Sequence, residues 1–260
     1  MTAALRTERL SVSYGGVVAL DAVDVSVEHG QLVGLIGPNG AGKTTFIDAI
    51  TGFAPCAGKV YLGEEDVSRL PAHRRARRGL ARTWQSTELF DDLTVVENLA
   101  VASSSTPWWQ ALAAVLRGRA SEGEGTRDVL DQLGLADVAR AEPASLPQGQ
   151  RKLVGVARAL AARPALLCLD EPAAGLDTSE SHVFGQQLRA IVDRGTTILL
   201  IDHDMNLVLS ICDKVIVLDF GRVIFEGSPV EARTNPTVVE AYLGTSEPTT
   251  GSASAKSVLV

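Results

Sequence analysis

Short unbroken apolar runs alternate along the chain with stretches whose apolar residues recur every three or four positions. The first pattern predicts strands buried on both faces, and the second predicts amphipathic helices. "QLVGLIG" (31–37) predicts a buried strand, and "KTTFIDAITG" after it predicts a helix stopped by Gly52, a residue suited to a left-handed C-terminal position. "ALLCLDE" and "TTILLIDHD" are further apolar runs with acidic residues at their ends. Between them, "TSESHVFGQQLRAIVDRG" predicts a helix whose buried face carries Val183, Leu188, Ile191 and Val192, ended by Gly195. "KVIVLDFGRVIFEG" predicts a hairpin turning near Phe220–Gly221. Such alternation implies an α/β core with a parallel sheet. From about residue 85 to 154 the strand signal fades and helical stretches dominate, loosened at "SSSTPWW" and "SEGEG", which implies a helical insertion. From Thr245 the chain is rich in Ser and Thr with little apolar pattern, so a disordered tail is expected.

Composition narrows the function classes. At 45% hydrophobic and 21% charged, 260 residues suffice for a large core, and global disorder is excluded. A net charge of −7 argues against a surface built for nucleic-acid phosphates. The basic cluster "HRRARRG" (73–79) is therefore expected to be a solvated helix face. Cys56, Cys168 and Cys212 are far apart and form no CxxC pair, as expected of buried thiols in a reducing compartment. The first residues carry no long apolar stretch, and no run approaches the ~18 residues that span a bilayer. The expectation is a soluble intracellular protein that serves a membrane only by docking.

The chemistry begins at "GPNGAGKT", which fits G-x-x-x-x-G-K-[ST] between a buried strand and a helix. Gly37, Pro38, Asn39, Gly40, Ala41, Gly42, Lys43, Thr44 and Thr45 form this segment. Its glycines let backbone N–H groups turn toward phosphate oxygens, and the helix N-terminus adds partial positive charge. Lys43 can reach the β- and γ-phosphates, and the Thr44 hydroxyl can ligate Mg²⁺. The pattern alone specifies a nucleoside triphosphate. In "LLCLDE", Asp170 at a strand end can join the Mg²⁺ shell, and Glu171 can activate the attacking water.

With these motifs in this order, the chain resembles the ATP-binding-cassette ATPases, the nucleotide-binding subunits of ABC transporters, over almost everything from about Leu5 to Gly244. The resemblance implies roles for further residues. Tyr14 lies where the family stacks an aromatic on adenine, and Gln85 in "RTWQ" matches the lid glutamine that touches Mg²⁺ and the water. Asp177 in "AGLD" falls in the loop linking two active sites of a dimer, and His203 in "LIDHD" matches the switch histidine that reaches the γ-phosphate. The implied fold is α/β: a P-loop NTPase (RecA-like) core over about 1–84 and 155–244, with an N-terminal antiparallel β region and an inserted α-helical subdomain over about 85–154.

The finer resemblance is to importers of branched-chain amino acids and their urea or amide relatives, through "RTWQSTELFDDLTVVENLAVA", "DEPAAGLD" and "NPTVVEAYLG". Lipopolysaccharide-export ATPases are near neighbours, and soluble ABC ATPases are a more distant alternative. The resemblance implies ATP and Mg²⁺, integral-membrane permease partners, a second ATPase subunit (identical or sister), and indirectly an extracellular or periplasmic binding protein, with the chain on the cytoplasmic face of the membrane. Trp108–Trp109 is either local packing or a permease contact. "LPQGQ" stands where the family carries Leu-Ser-Gly-Gly-Gln: Leu146, Gly149 and Gln150 match, while Pro147 and Gln148 depart. Pro147 brings neither a hydroxyl nor an N–H, so a working but relaxed signature is expected.

Overall fold

The computed structural model describes residues 3–83, 89–103 and 124–243; Gln85, Trp108–Trp109 and the 245–260 tail lie outside the described residues. Four strands, β1 (Ala3–Tyr14), β2 (Val17–Glu28), β4 (Ala57–Leu62) and β5 (Glu65–Asp66), form an antiparallel sheet in the order β2-β1-β4-β5. A second sheet runs β10-β9-β3-β8-β7-β6. In it β3 (Leu32–Ile36), β6 (Leu80–Arg82), β7 (Leu166–Asp170), β8 (Ile198–Ile201) and β9 (Lys214–Asp219) are parallel. At one edge, β10 (Arg222–Gly227) pairs antiparallel with β9.

The unbroken apolar runs have a direct cause. Successive side chains of a strand point to opposite faces, and here both faces are covered. Leu32, Leu167, Leu169, Ile198, Leu200 and Val215 enter one core, and Val33, Leu166, Cys168, Leu199, Ile201 and Ile216 enter the other. The second core also takes Phe46, Ile47 and Ile50 of helix α1 (Lys43–Thr51), which therefore lies between the two sheets. Gly52 ends α1 at φ 84, the left-handed stop that the sequence predicts.

The other core holds the helices. It includes α3 (Val95–Ser103), α4 (Glu124–Gln132), α5 (Gln148–Ala161) and α6 (Thr178–Asp193). Helix α5 runs unbroken through the expected 154/155 boundary, and its Leu153, Val156 and Leu160 all join this one core. On α6 the buried face is Ser181, Phe184, Gly185, Leu188, Ile191 and Val192, whereas Val183 is 53% exposed. At about 100° per residue Val183 falls off the stripe, and Phe184 takes the place expected of it. Helices α7 (Met205–Ile211), α8 (Pro229–Thr234) and α9 (Pro236–Leu243) complete the described chain.

The basic cluster divides. Arg74, Arg77 and Arg78 are exposed, but Arg75 of α2 (Ala72–Ala76) is only 2% exposed, so the expectation of a solvated face fails there. Its guanidinium donates to Ala49 O (2.8 Å) and Ile50 O (2.7 Å) at the end of α1, and to Leu70 O and Ser68 O (both 2.8 Å). A planar five-donor fork suits four carbonyls at once. Arg75→Ala leaves those acceptors without their donor and is expected to destabilise by ~3 kcal/mol, lowering Tm by ~6–12 °C in thermal unfolding. A shift below ~2 °C would show that water replaces the staple.

Candidate nucleotide site

Three strands end in one row. Leu35 of β3 is in register with Ile201 of β8, and Ile201 with Asp170 of β7. The chain thereby sets Gly37, His203 and Glu171 side by side at the carboxyl edge of the sheet, where open α/β sheets bind ligands.

The glycine-rich loop is held from outside. A Cβ on Gly37 would stand 2.2 Å from Leu218 O, and one on Gly42 (φ 105) 2.8 Å from Ala19 O, so both positions need glycine. Gly221 donates its N–H to Ala41 O (2.9 Å), and Asp21 donates its N–H to Gly221 O (2.9 Å). The predicted hairpin turn thus braces the loop against β2. Helix α9 reaches the same place: burial pushes the Tyr242 phenol up to about 12, and the backbone N–H of Gly37 acts against that shift.

Lys43 lies over the loop, donating to Gly37 O (2.6 Å) and Pro38 O (3.0 Å). An ammonium has three donors, and these bonds use two. Burial pushes Lys43 below its usual value, while Glu171, Asp170 and Asp202 pull it back up. Thr44 and Thr45 follow on the first turn of α1, with Thr44 exposed.

Asp170 is almost fully buried, and burial pushes its carboxyl above the usual range. Arg82 opposes that shift, donating from Nη2 to Asp170 Oδ2 (2.9 Å). Glu171 adopts φ 46, a left-handed conformation that a non-glycine residue holds only where its surroundings impose it. Its own N–H donates to Ile201 O (2.7 Å). The Glu171 Oε2 atom is 3.8 Å from His203 Nδ1, which is also 3.6 Å from Asp202 Oδ1. His203 is presented by a short turn that Asp204 fixes, capping α7 through Asn206 N (2.9 Å) and Leu207 N (3.2 Å).

A lysine, a hydroxyl and two carboxylates thus surround the mouth of a backbone cradle. Hydroxyl and carboxylate oxygens are hard donors of the kind Mg²⁺ prefers. Among the described residues no group of three His, Cys, Asp or Glu side chains forms a metal cage. Tyr14, 50% exposed, pairs with Val17 across the β1–β2 turn, and Val17 and Val18 are exposed beside it. Arg82 and Asp202 were not singled out from sequence, although Arg82 belongs to the "RTWQ" segment.

Residues 20–174 match the ABC transporter family, and residues 222–248 match the branched-chain amino acid ATP-binding cassette transporter family. The chain is 38% identical over 252 residues to the high-affinity branched-chain amino acid transport ATP-binding protein BraF of Pseudomonas aeruginosa, covering 92% of this chain and 97% of that one.
The chain belongs to the ABC transporter ATP-binding subunits.
A LivG protein of the same description from Salmonella typhimurium is 37% identical over 248 residues (92% and 97% covered). The lipopolysaccharide export system ATP-binding protein LptB of Acidithiobacillus ferridurans is 35% identical over 245 residues (94% and 98%). The ADP conformation of an ATP-binding cassette of an ABC transporter superposes with TM-score 0.82 at 31% identity, covering 94% of this chain and 99% of that one. This ABC ATPase therefore binds nucleotide and hydrolyses ATP.

The "LPQGQ" loop of the cassette lies at the surface and opens α5, with Pro147 at the N-cap (φ −54, ψ 154) and no side-chain cap. The first N–H groups of α5, from Gln148, Gly149 and Gln150, have no partner within the helix and no side-chain cap from Pro147. Arg151 pairs with Asp91 at 3.6 Å. Gln148 lies against the "AGLD" loop, where a Cβ on Gly175 (φ 81) would meet its Nε2 at 2.8 Å. Asp177 caps α6, accepting from Ser179 N (2.8 Å) and Glu180 N (2.9 Å), and these bonds hold its carboxyl below the usual range.

Proposed function

We propose that this chain is the ATP-hydrolysing subunit of an importer for branched-chain amino acids, docked at the cytoplasmic face of the membrane through a permease. The carrying observation is the convergence of the Lys43 cradle, Asp170, Glu171 and His203 on one sheet edge, in a chain 38% identical to a branched-chain amino acid transport ATP-binding protein.

In this reading Tyr14 stacks on adenine, and the backbone of residues 37–45 with Lys43 holds the phosphates. Thr44, Asp170 and Gln85 would hold Mg²⁺, which would supply neutralisation of phosphate charge. Glu171 takes a proton from water as the water oxygen bonds to the γ-phosphorus and the bridging oxygen leaves with ADP. His203 donates to the γ-phosphate. The signature loop, distant in sequence from the cradle, serves the cradle of a second ATPase subunit, so two chains close head to tail over two nucleotides. Closure requires the γ-phosphate, which lets hydrolysis cycle a permease between two states.

A cavity of about 750 Å³ lies between α2, β6 and α5, with Phe53, His73, Arg82, Ala102, Lys152 and Arg158 among its walls. Its largely apolar lining and position beside the segment leading to Gln85 suit a short permease helix. The binding protein and the transported solute are on the far side of the membrane and touch this chain only through the permease. No nucleic-acid partner is proposed.

Pro147→Ser restores a hydroxyl and an N–H at the signature, and one hydrogen bond to a charged phosphate is worth ~1.5–3 kcal/mol. ATP-driven dimerisation, measured by light scattering, is expected to rise or stay level; a sharp loss would show that the proline shapes the loop. For the whole assignment, a complex purified from membranes through a tag on this chain should contain permeases and a branched-chain amino acid-binding protein. Recovery of lipopolysaccharide-transport components instead would move the chain to the export reading.

A further inference from the structure

Arg82 ends β6, the strand that leads into the segment carrying Gln85. Its side chain is 6% exposed and spans two carboxylates. Nη2 donates to Asp170 Oδ2 at 2.9 Å, and Nη1 donates to Asp48 Oδ1 at 2.5 Å and approaches Thr51 Oγ1 at 3.5 Å. Asp48 and Thr51 belong to α1, the helix that opens at the phosphate cradle. One guanidinium therefore joins the cradle helix, the aspartate at the end of β7 and the strand entering the lid segment.

The two carboxylates differ. Asp170 has a side chain 5% exposed, while that of Asp48 is 29% exposed. A buried carboxylate without a partner neutralises itself by taking a proton. A planar fork also fixes the carboxylate it meets, whereas an ammonium neutralises it as a point charge without setting its orientation. Two carboxylates on different elements, bridged by one buried cation, form a joint of defined geometry. The Arg82 bond to Asp170 is made at Oδ2, so Oδ1 is not used by that bond.

We propose that Arg82 is a positioning residue for ATP hydrolysis: it fixes the Asp170 carboxylate relative to the cradle helix so that one oxygen meets the Mg²⁺–nucleotide. This rests on the reading of Asp170 as a metal-side residue given above. A purely structural ion pair would show itself in stability alone. A positioning residue shows itself in the part of nucleotide affinity that Mg²⁺ adds.

The test measures binding of a fluorescent ATP analogue in excess EDTA and then in Mg²⁺, with kcat and KM for Mg²⁺–ATP, on full-length wild type, Arg82→Met, Arg82→Lys and Asp48→Asn. Arg82→Met should bind the analogue in EDTA within about twofold of wild type, because the cradle is intact. The gain from Mg²⁺ should fall by ~10–100-fold, and kcat should fall with it, as for other groups that orient a metal-side ligand. Arg82→Lys keeps the charge but cannot bridge both carboxylates, so it should recover only part of the gain. Asp48→Asn keeps a side-chain oxygen that can accept from Nη1, so the bridge survives without the second charge and most of the gain should remain. If Arg82→Met does not fold, Arg82→Lys carries the test, and a full Mg²⁺ gain there overturns the proposal. A folded Arg82→Met with normal Mg²⁺ gain and kcat, altered only in Tm, also overturns it. Asp170→Asn separates the two readings: if it too keeps the full gain, the assignment of Asp170 itself is wrong.

Discussion

Replacing Glu171 with glutamine is expected to cut steady-state ATP turnover by ~10²–10⁴-fold while leaving nucleotide affinity close to wild type. General-base catalysis contributes about that factor, corresponding to ~3–5 kcal/mol of barrier. The substitution keeps volume and removes only the ability to accept a proton. The backbone at Glu171 is tied to the Ile201 carbonyl through its N–H, which the substitution leaves in place, so the substituted amide should occupy the place of the native carboxylate, which lies 3.8 Å from His203 Nδ1. Phosphate release gives the rate, and a fluorescent nucleotide titration gives the affinity. Turnover within about threefold of wild type would assign the proton to another group.

Lys43→Met is expected to act on the other parameter and weaken ATP binding by ~10²-fold. Lys43 is 7% exposed, and its ammonium holds two loop carbonyls at 2.6 and 3.0 Å. Asp170, Glu171 and Asp202 all act on it electrostatically. Methionine has similar length but no charge, so an incoming triphosphate meets those carboxylates without the Lys43 charge, while Asp170 keeps its partner in Arg82. Loss of even one charged hydrogen bond is worth ~1.5–3 kcal/mol, which is tenfold or more in affinity. Calorimetric titration with ATP reads this directly. An affinity within twofold of wild type would mean that backbone N–H groups alone hold the phosphates.

The parts of this molecule that were legible in sequence are those set by neighbours along the chain. The cradle is local chemistry: glycines where a side chain would strike Leu218 O or Ala19 O, then a lysine at a helix start. The core strands read as apolar runs because both faces are buried, and Gly52 and Phe220–Gly221 end their elements as turn chemistry requires. What was not legible depends on contacts between distant segments. Arg75 lies in a basic run and is buried because the end of α1 presents carbonyls to it. Arg82 meets Asp170 because β6 lies beside β7 in the sheet order. The off-stripe position of Val183 depends on helix phase, which four apolar residues do not set. Asp177, expected from resemblance at a loop between two sites, also has a local task as the cap of α6.

Nucleotide chemistry at this site is proposed to drive uptake of branched-chain amino acids. The most direct measurement is uptake of radiolabelled leucine by cells lacking this chain and complemented with wild type or Glu171→Gln. Wild type should restore ATP-dependent uptake and Glu171→Gln should not, although it accumulates to the same level. Leucine uptake that is unchanged by loss of the chain, or restored equally by both forms, would contradict that role.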